Sequence, residues 1–183
     1  MRTIVTAAFL SLLLVGGAVC ASPGAPPVSM EQPEAVVPPP YTSASGRFSV
    51  QFPAGALQQD SREIALRGGG ASQLHQVWVA QQQDSAAYMV MYNDYPSDYA
   101  TDSPQQVLLA TRDGAAGGRK IVSDRVIELN GVPGRAFTVS GDGWVFTIRQ
   151  FLAGKRLYQL IVVSDTAHPA PHALEFMRSF RIL

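Results

Sequence analysis

The clearest indication of the fold comes from residues 120–164, which read KIVSDRVIELNGVPGRAFTVSGDGWVFTIRQFLAGKRLYQLIVVS. It contains four runs rich in β-branched and aromatic residues, at 120–129, 135–139, 144–152 and 157–164. The connections between them are Asn130-Gly131, Gly141-Asp142-Gly143 and Gly154-Lys155. Short connections that contain Gly, Asn or Asp are typical of β-hairpins, in which consecutive strands pair antiparallel. The stretch therefore predicts four consecutive antiparallel strands.

The chain before this stretch shows further strand patterns. Residues 47–52 alternate strictly, so that Phe48, Val50 and Phe52 share one face, and Pro53 ends the run. Further candidate strands lie at residues 64–66, 74–80 and 86–92, with Gly68-Gly69-Gly70 between the first two. The first half of the domain is therefore predicted to be a β-meander.

A helix start lies between the two groups of strands. Ser103 is a suitable N-cap, Pro104 fits the first turn, and Gln106 lies three residues after the cap. This spacing is that of a capping box, and it predicts a helix through residues 107–111 that ends within residues 114–118.

A second, short helix is predicted near the end of the chain. Residues 172–178 follow Pro169 and Pro171 and carry Leu174, Phe176 and Met177. Antiparallel strands interrupted by one helix and closed by another indicate the α+β class. We expect an antiparallel sheet of about six to eight strands, flanked by two or more helices.

The first 21 residues have the pattern of a secretory signal peptide. Arg2 supplies the positive charge, residues 4–15 form a short apolar run, and small residues follow. The apolar run is too short to remain as a membrane span. Cleavage after Ala21 would discard Cys20, the single cysteine of the chain.

A second interpretation of the same junction keeps Cys20. Gly17-Ala18-Val19-Cys20 resembles a bacterial lipobox, in which the cysteine is acylated and becomes the first residue. Val19 stands where a small residue is expected, so simple secretion is favoured over lipidation. Both interpretations predict export to the periplasm or cell surface, soluble or lipid-anchored, and a mature domain without an internal disulfide.

Residues 22–45 are rich in Pro, Ala, Ser and Val, and they include Pro38-Pro39-Pro40. This composition predicts a disordered spacer, because few large apolar residues are present to be buried. It is either a tether that holds the domain away from a membrane or a mature N-terminus without a role. Residues 46–183 are then long enough for one domain with its own core.

The charge balance excludes some classes of partner. Basic and acidic residues number 14 each, and no block of Lys or Arg occurs. Nucleic acid and anionic membrane surfaces are therefore not expected as partners. Contact with a membrane is expected only through a lipid anchor at Cys20.

The most unusual local pattern is the segment YNDYPSDYATD, residues 92–102, where tyrosines and aspartates interleave. Its candidate binding residues are Tyr92, Asp94, Tyr95, Asp98 and Tyr99. Clustered tyrosines can present rigid contact area to a protein, a peptide or a glycan, and carboxylates can bind calcium. The spacing is not that of a calcium loop, however, and the tyrosines can instead pack on the edge of the sheet.

The sequence contains no convincing catalytic, cofactor or metal motif. His168 and His172 are four residues apart after Asp165, but Pro169 and Pro171 interrupt the helix that would bring them together. No Gly-x-Ser-x-Gly elbow occurs, and His75 is interpreted as an ordinary histidine of the sheet.

Large apolar residues recur with period two in two of the predicted strands. Met89 and Met91 alternate with the residues around them in one strand, and Trp144 and Phe146 do so in another. Such stripes are usually packing, so they are predicted to serve the core.

Four motifs together resemble the PsbP-like α/β/α sandwich superfamily. They are GRFSVQFP at residues 46–53, GVPGR at 131–135, RLYQL at 156–160 and FMRSF at 176–180. The resemblance covers essentially residues 46–183. It implies an antiparallel sheet flanked by helices, and a role in binding or assembly rather than catalysis. The superfamily includes the extrinsic PsbP subunit of photosystem II, a nuclear-import cofactor that binds the Ran GTPase, and many exported bacterial proteins.

Export, the spacer and this resemblance predict a non-enzymatic exported envelope protein. We expect a protein-binding or assembly-accessory domain whose partner is another envelope protein. The alternative is a periplasmic module that binds a small ligand, namely a glycan, a lipid or calcium.

Overall fold

The computed structural model describes residues 39–66, 70–81, 85–96 and 103–183. These residues form ten strands and two helices. The elements are β1 (Tyr41–Ser43), β2 (Phe48–Val50), β3 (Leu57–Ala65), β4 (Ala71–Gln81), β5 (Ala86–Asp94), α1 (Pro104–Ala116), β6 (Lys120–Leu129), β7 (Val132–Gly141), β8 (Trp144–Ala153), β9 (Arg156–Asp165), α2 (Ala173–Ser179) and β10 (Arg181–Ile182). Neither helix has the length and apolar character needed to cross a bilayer within this part of the chain. The predicted signal peptide and Cys20 lie outside the described residues.

A seven-stranded antiparallel sheet has the order β3-β4-β5-β9-β8-β7-β6. The strands β6 to β9 are joined by tight hairpins, as their turn residues predicted. Asn130 and Gly131 both have positive φ, and so do Asp142 and Gly143. Two successive residues of this kind match the twist of the flanking strands, which is why these dipeptides form two-residue hairpin turns. The prediction of four consecutive antiparallel strands is confirmed.

A small three-stranded sheet, of order β1-β2-β10, joins the two ends of the domain. Phe48 pairs with Ile182, and the backbone N–H of Leu183 donates to the carbonyl of Arg47 at 2.9 Å. The first strand, β1, lies within residues 22–45, which composition assigned to the spacer. Strand pairing therefore begins before Gly46. Tyr41 of β1 also packs against the aromatic core.

The small sheet and α2 cover one face of the large sheet and enclose an aromatic core. The Phe48 ring lies 5.9 Å from Tyr92, 6.2 Å from Tyr158 and 5.7 Å from Phe180, between ring centroids. The Tyr158 hydroxyl is satisfied within this core, since it donates to the carbonyl of Gly46 at 2.8 Å. The contacts with Tyr92 and Tyr158 are edge-to-face, and contacts of this kind add to the free energy of burial.

The helix α1 packs on the opposite face, where a buried polar side chain fixes its position. Gln150 of β8 is fully buried, and its Nε2 donates to the carbonyl of Leu108. The Thr111 hydroxyl donates to Gln150 Oε1 at 3.0 Å. Layers therefore lie on both faces of the sheet, and the predicted α+β sandwich is confirmed.

The start of α1 is where the sequence placed it, but the capping is different. Ser103 is the N-cap in an extended conformation, and Pro104 is in the first turn. The Ser103 hydroxyl makes no capping bond; its backbone carbonyl instead accepts from the N–H groups of Gln106 and Val107, at 3.0 and 3.3 Å. The helix ends at Gly117, whose left-handed φ of 55° closes the last turn.

Candidate binding surfaces

The structure packs the described tyrosines of the segment at residues 92–102 into the fold. Tyr92 is 7% exposed and belongs to the aromatic core, while Tyr95 is 8% exposed beside Leu108 and Leu157. Asp98 and Tyr99 lie outside the described residues. Binding by this segment stays a prediction, and the Tyr92 and Tyr95 rings offer little surface for it.

Asp94 lies at the end of β5 in a two-pronged ion pair. Arg156 donates from Nε and Nη2 to the two carboxylate oxygens of Asp94, both at 2.6 Å, and from Nη1 to the carbonyl of Ser45 at 2.8 Å. These hydrogen bonds hold the pKa of Asp94 below its ordinary value. The same guanidinium lies 5.2 Å from the centre of the Tyr92 ring, so Asp94 anchors a local network.

The histidines near the C-terminus do not converge. Asp165 accepts from the backbone N–H groups of Ala167 and His168, and from His168 Nδ1 at 2.9 Å, so it organises its own turn. The hydrogen bond from His168 holds the pKa of Asp165 below its ordinary value. His172 instead approaches Glu175, at 3.7 Å. Within the described ranges, no three His, Cys, Asp or Glu side chains are placed to hold a metal ion.

His75 is engaged by an aromatic ring rather than by a catalytic partner. Its ring stacks on Tyr92 with the centroids 4.7 Å apart. None of the described serines or carboxylates makes a hydrogen bond to its ring, so the geometry of a nucleophile and base is not formed there.

The face of the large sheet that carries α1 is only partly covered. Direct cross-strand partners align Trp78, Met89 and Ile161 in one row, and Ala87, Val163 and Phe146 in the next. The helix covers the β7 and β8 side of this face. Towards β4 the side chains remain partly exposed, and Trp144 is 42% exposed. We call the apolar sheet face the set Trp78, Met89, Trp144, Phe146, Ile161 and Val163.

Two hollows lie on this side of the sheet, and an ion pair lies at one end of the apolar sheet face. A hollow of about 390 Å³ lies over Ala87 and Val163, beside Trp144 and Phe146. A separate groove of about 330 Å³ lies along α1 beside Met91 and Ile161. At the border, Arg119 lies 5.3 Å above the Phe146 ring and pairs with Asp142 at 3.3 Å. An apolar centre within a polar rim is the arrangement of a protein interface.

A polar cleft of about 400 Å³ lies on the opposite face of the sheet, between the small sheet and the strands β3 and β4. Its lining includes Tyr41, Ser45, Gln59, Ser61, His75 and Gln76. The Ser45 hydroxyl and the Tyr92 hydroxyl are hydrogen-bonded across its floor at 3.0 Å. The cleft therefore offers hydroxyl, amide and ring groups, most of them neutral.

Comparison with solved structures identifies the architecture. The solution structure of cyanobacterial PsbP (CyanoP) from Synechocystis sp. PCC 6803 matches with a TM-score of 0.53, over 79% of this chain and 92% of that one. This chain has a PsbP-like fold. The two sequences are 12% identical, so the likeness concerns the fold alone. No protein-family model and no curated protein sequence matches this chain.

The motifs that resemble the superfamily are the packing residues of the PsbP-like core. Phe48, Tyr158 and Phe180 contact one another, and Phe151 stacks on Phe180 at 6.0 Å while lying against Gly134. The apolar sheet face contains no residue of these motifs. The motifs therefore predict the fold, and they carry no information about the apolar sheet face.

Sequence reasoning missed the apolar sheet face because it assigned both stripes to packing. The signal was present in β5, where the sequence AAYMVMY places apolar residues at both odd and even positions, and therefore on both faces of the strand. An antiparallel strand with one solvated face normally alternates apolar and polar residues. An apolar residue at every position indicates that both faces are covered or bind something.

Proposed function

We propose that the chain is a non-enzymatic binding domain, exported to the cell envelope, that docks another envelope protein on its apolar sheet face. The observation that carries this proposal is the row Trp78, Met89 and Ile161, which α1 leaves partly exposed. Burial of the apolar surface that these side chains still expose contributes about 25 cal/mol per Å², so a partner that covers the row gains binding free energy from it.

The chemistry of the face favours a protein with an apolar, uncharged contact surface. Its six side chains are all neutral, and Trp and Met are enriched in the buried centres of protein interfaces. Met89 is flexible and polarisable, which lets the surface adapt to a partner. The charges of Arg119 and Asp142 lie at the border, where they influence orientation more than affinity.

A first experiment identifies the partner and maps its contact. Photo-crosslinking residues placed at Met89, Trp78 and Ile161 in the native host are expected to capture one and the same envelope protein. The same residue at Val126, which is 63% exposed on β6, serves as the control and is expected to capture nothing in common with them. Equal capture from Val126 would contradict docking on this face.

A second experiment measures the binding itself with the purified partner. Met89→Lys is expected to raise the dissociation constant at least tenfold, whereas Val126→Lys leaves it unchanged, because only the first charge would be buried at the interface. Calorimetry is expected to show a negative heat-capacity change, which is the signature of apolar burial. Thermal melting of both variants checks that the fold is retained.

The polar cleft favours a second candidate, a small neutral ligand such as a glycan. Hydroxyl and amide groups of Ser45, Ser61 and Gln59 line it, together with His75. Titration with a glycan panel would then shift the NMR signals of His75 and Gln59, and Gln59→Ala would weaken the binding. No shift at these residues with any glycan would eliminate this candidate.

A further inference from the structure

The strand β3 forms a long, open edge of the large sheet. It is the outermost strand among the described residues, and all nine of its positions pair with β4 without a bulge. Eight of the nine side chains are exposed, and Ile64 is the exception. The opposite edge strand, β6, is interrupted by an irregularity between Ile121 and Ser123. An uninterrupted edge presents a row of N–H and C=O groups that can pair with another strand.

We propose that a second copy of this chain occupies this edge, with the two β3 strands pairing antiparallel about a two-fold axis at Ser61. In this arrangement Asp60 lies directly opposite Arg62 of the second copy, and Arg62 lies opposite Asp60 of the second copy. Gln59 lies opposite Glu63 of the second copy. The nine residues from Leu57 to Ala65 all find a partner, so two sheets become one continuous sheet.

The charges of β3 select this register. A two-fold axis that relates two antiparallel strands passes midway between a residue and its own copy, because directly opposite side chains lie on the same face of the sheet. An axis at Asp60 would place two carboxylates opposite each other, and an axis at Arg62 would place two guanidinium groups opposite each other. Like charges in direct opposition destabilise a strand pair, whereas opposite charges stabilise it.

The charged groups that this register uses are available. Arg62 and Glu63 make no ion pair with any other described residue, and Asp60 accepts only an exposed hydrogen bond from Gln76 Nε2 at 3.2 Å. A lone monomer therefore leaves these charges exposed to solvent beside an unpaired backbone edge. A two-fold axis perpendicular to the sheet keeps both apolar sheet faces on the same side, so the dimer would present two docking faces in one direction.

A charge-swap experiment on the mature chain tests the pairing. Sedimentation over a range of concentrations is expected to show a reversible dimer. Asp60→Arg and Arg62→Asp, each alone, are expected to raise its dissociation constant at least tenfold, because each places like charges in opposition. The double variant, which carries both substitutions, is expected to restore dimerisation. Arg125→Asp on the opposite edge strand β6 is the matched control and is expected to change nothing.

A crosslink locates the axis independently of charge. Ser61→Cys, in a chain whose Cys20 is absent or replaced by Ser, is expected to form a disulfide-linked dimer on mild oxidation, since the two sulfurs would face each other. Gln59→Cys lies opposite Glu63 instead and is expected to stay largely reduced. A protein that is monomeric at every concentration, or a double variant that fails to restore the dimer while its melting curve is unchanged, would overturn the proposal. The docking of an envelope protein on the apolar sheet face is tested by separate experiments, and their outcome does not depend on the dimer.

Discussion

Gln150 makes the buried polar contact between α1 and the sheet. It is fully buried, and it donates to the Leu108 carbonyl while accepting from Thr111. Gln150→Ala is expected to lower the free energy of unfolding by about 2–4 kcal/mol, because it removes two hydrogen bonds and leaves a cavity.

Gln150→Leu fills most of the same volume and is expected to cost about half as much or less. In this variant Gln150 Oε1 no longer accepts the Thr111 proton, so the Thr111 hydroxyl, 3.1 Å from the carbonyl of Leu108, can donate to that carbonyl instead. Urea unfolding of both variants makes the comparison. Equal losses for Ala and Leu would show that the hydrogen bonds, and not the packing, decide the stability here.

Asp94 makes stability depend on pH at the acid end. Its hydrogen bonds from Arg156 hold its pKa below the ordinary value, so the ion pair stabilises the fold above about pH 4 and loses this effect as pH falls through the lowered pKa. The difference in unfolding free energy between the natural chain and Asp94→Asn is therefore expected to be constant near neutral pH and to shrink below about pH 4.

Urea unfolding at a series of pH values measures this difference. Asp142→Asn is a suitable control, because the Asp142 side chain is largely exposed and its pair with Arg119 is long, at 3.3 Å. Exposed pairs of this kind contribute little, so the control is expected to change stability only slightly at every pH. A difference for Asp94→Asn that persists unchanged into strong acid would contradict the assignment.

Among the elements, one glycine of β7 and one of α1 are expected to respond in opposite ways to replacement by Ala. At Gly134 of β7 a Cβ would lie 2.5 Å from Phe151 Cδ1 and 2.7 Å from the Gln150 carbonyl oxygen. Gly134→Ala is therefore expected to lower stability by about 1–3 kcal/mol through overpacking.

At Gly114 of α1 nothing lies within 4 Å of the added Cβ. Gly114→Ala is expected to raise stability by about 0.5–1 kcal/mol, because it improves helix propensity. Thermal unfolding of Gly134→Ala and Gly114→Ala is expected to show Tm shifts of opposite sign. Shifts of the same sign would contradict the two predictions.

Local sequence patterns predicted some of the strands in full and one of them only in part. The hairpins of β6 to β9 were predictable because Asn130-Gly131 and Asp142-Gly143 adopt positive φ at little cost. The strand β3 was predicted only at residues 64–66, whereas it extends over Leu57–Ala65. Its sequence LQQDSREIA lacks alternation, since an edge strand with two exposed faces has no apolar side to reveal it.

At the scale of the whole molecule, the domain has a well-filled core on one face of its sheet and an incompletely covered face on the other. If the chain is exported as the sequence predicts, its attachment to a membrane or its release would decide which proteins can reach this face. Simple secretion is the favoured interpretation of residues 1–21, and intact mass of the mature protein from its host is expected to give an unmodified chain that begins at Ser22. A chain that begins at Cys20 with added lipid mass would instead make it a lipoprotein, and the search for partners would move to membrane complexes.

Sequence patterns predicted the class of fold, the hairpins, both helices and the core face of the strand at residues 47–52, which carries Phe48, Val50 and Phe52. These follow from local periodicity, turn conformations and caps, which depend only on residues near one another in the chain. Tertiary structure alone decided that Tyr92 and Tyr95 are buried, that Asp94 is held by Arg156, and that Met89 lies in a row with Trp78 and Ile161. Period two shows that residues share a face, but which face α1 covers depends on how distant strands assemble, and no local pattern contains that information.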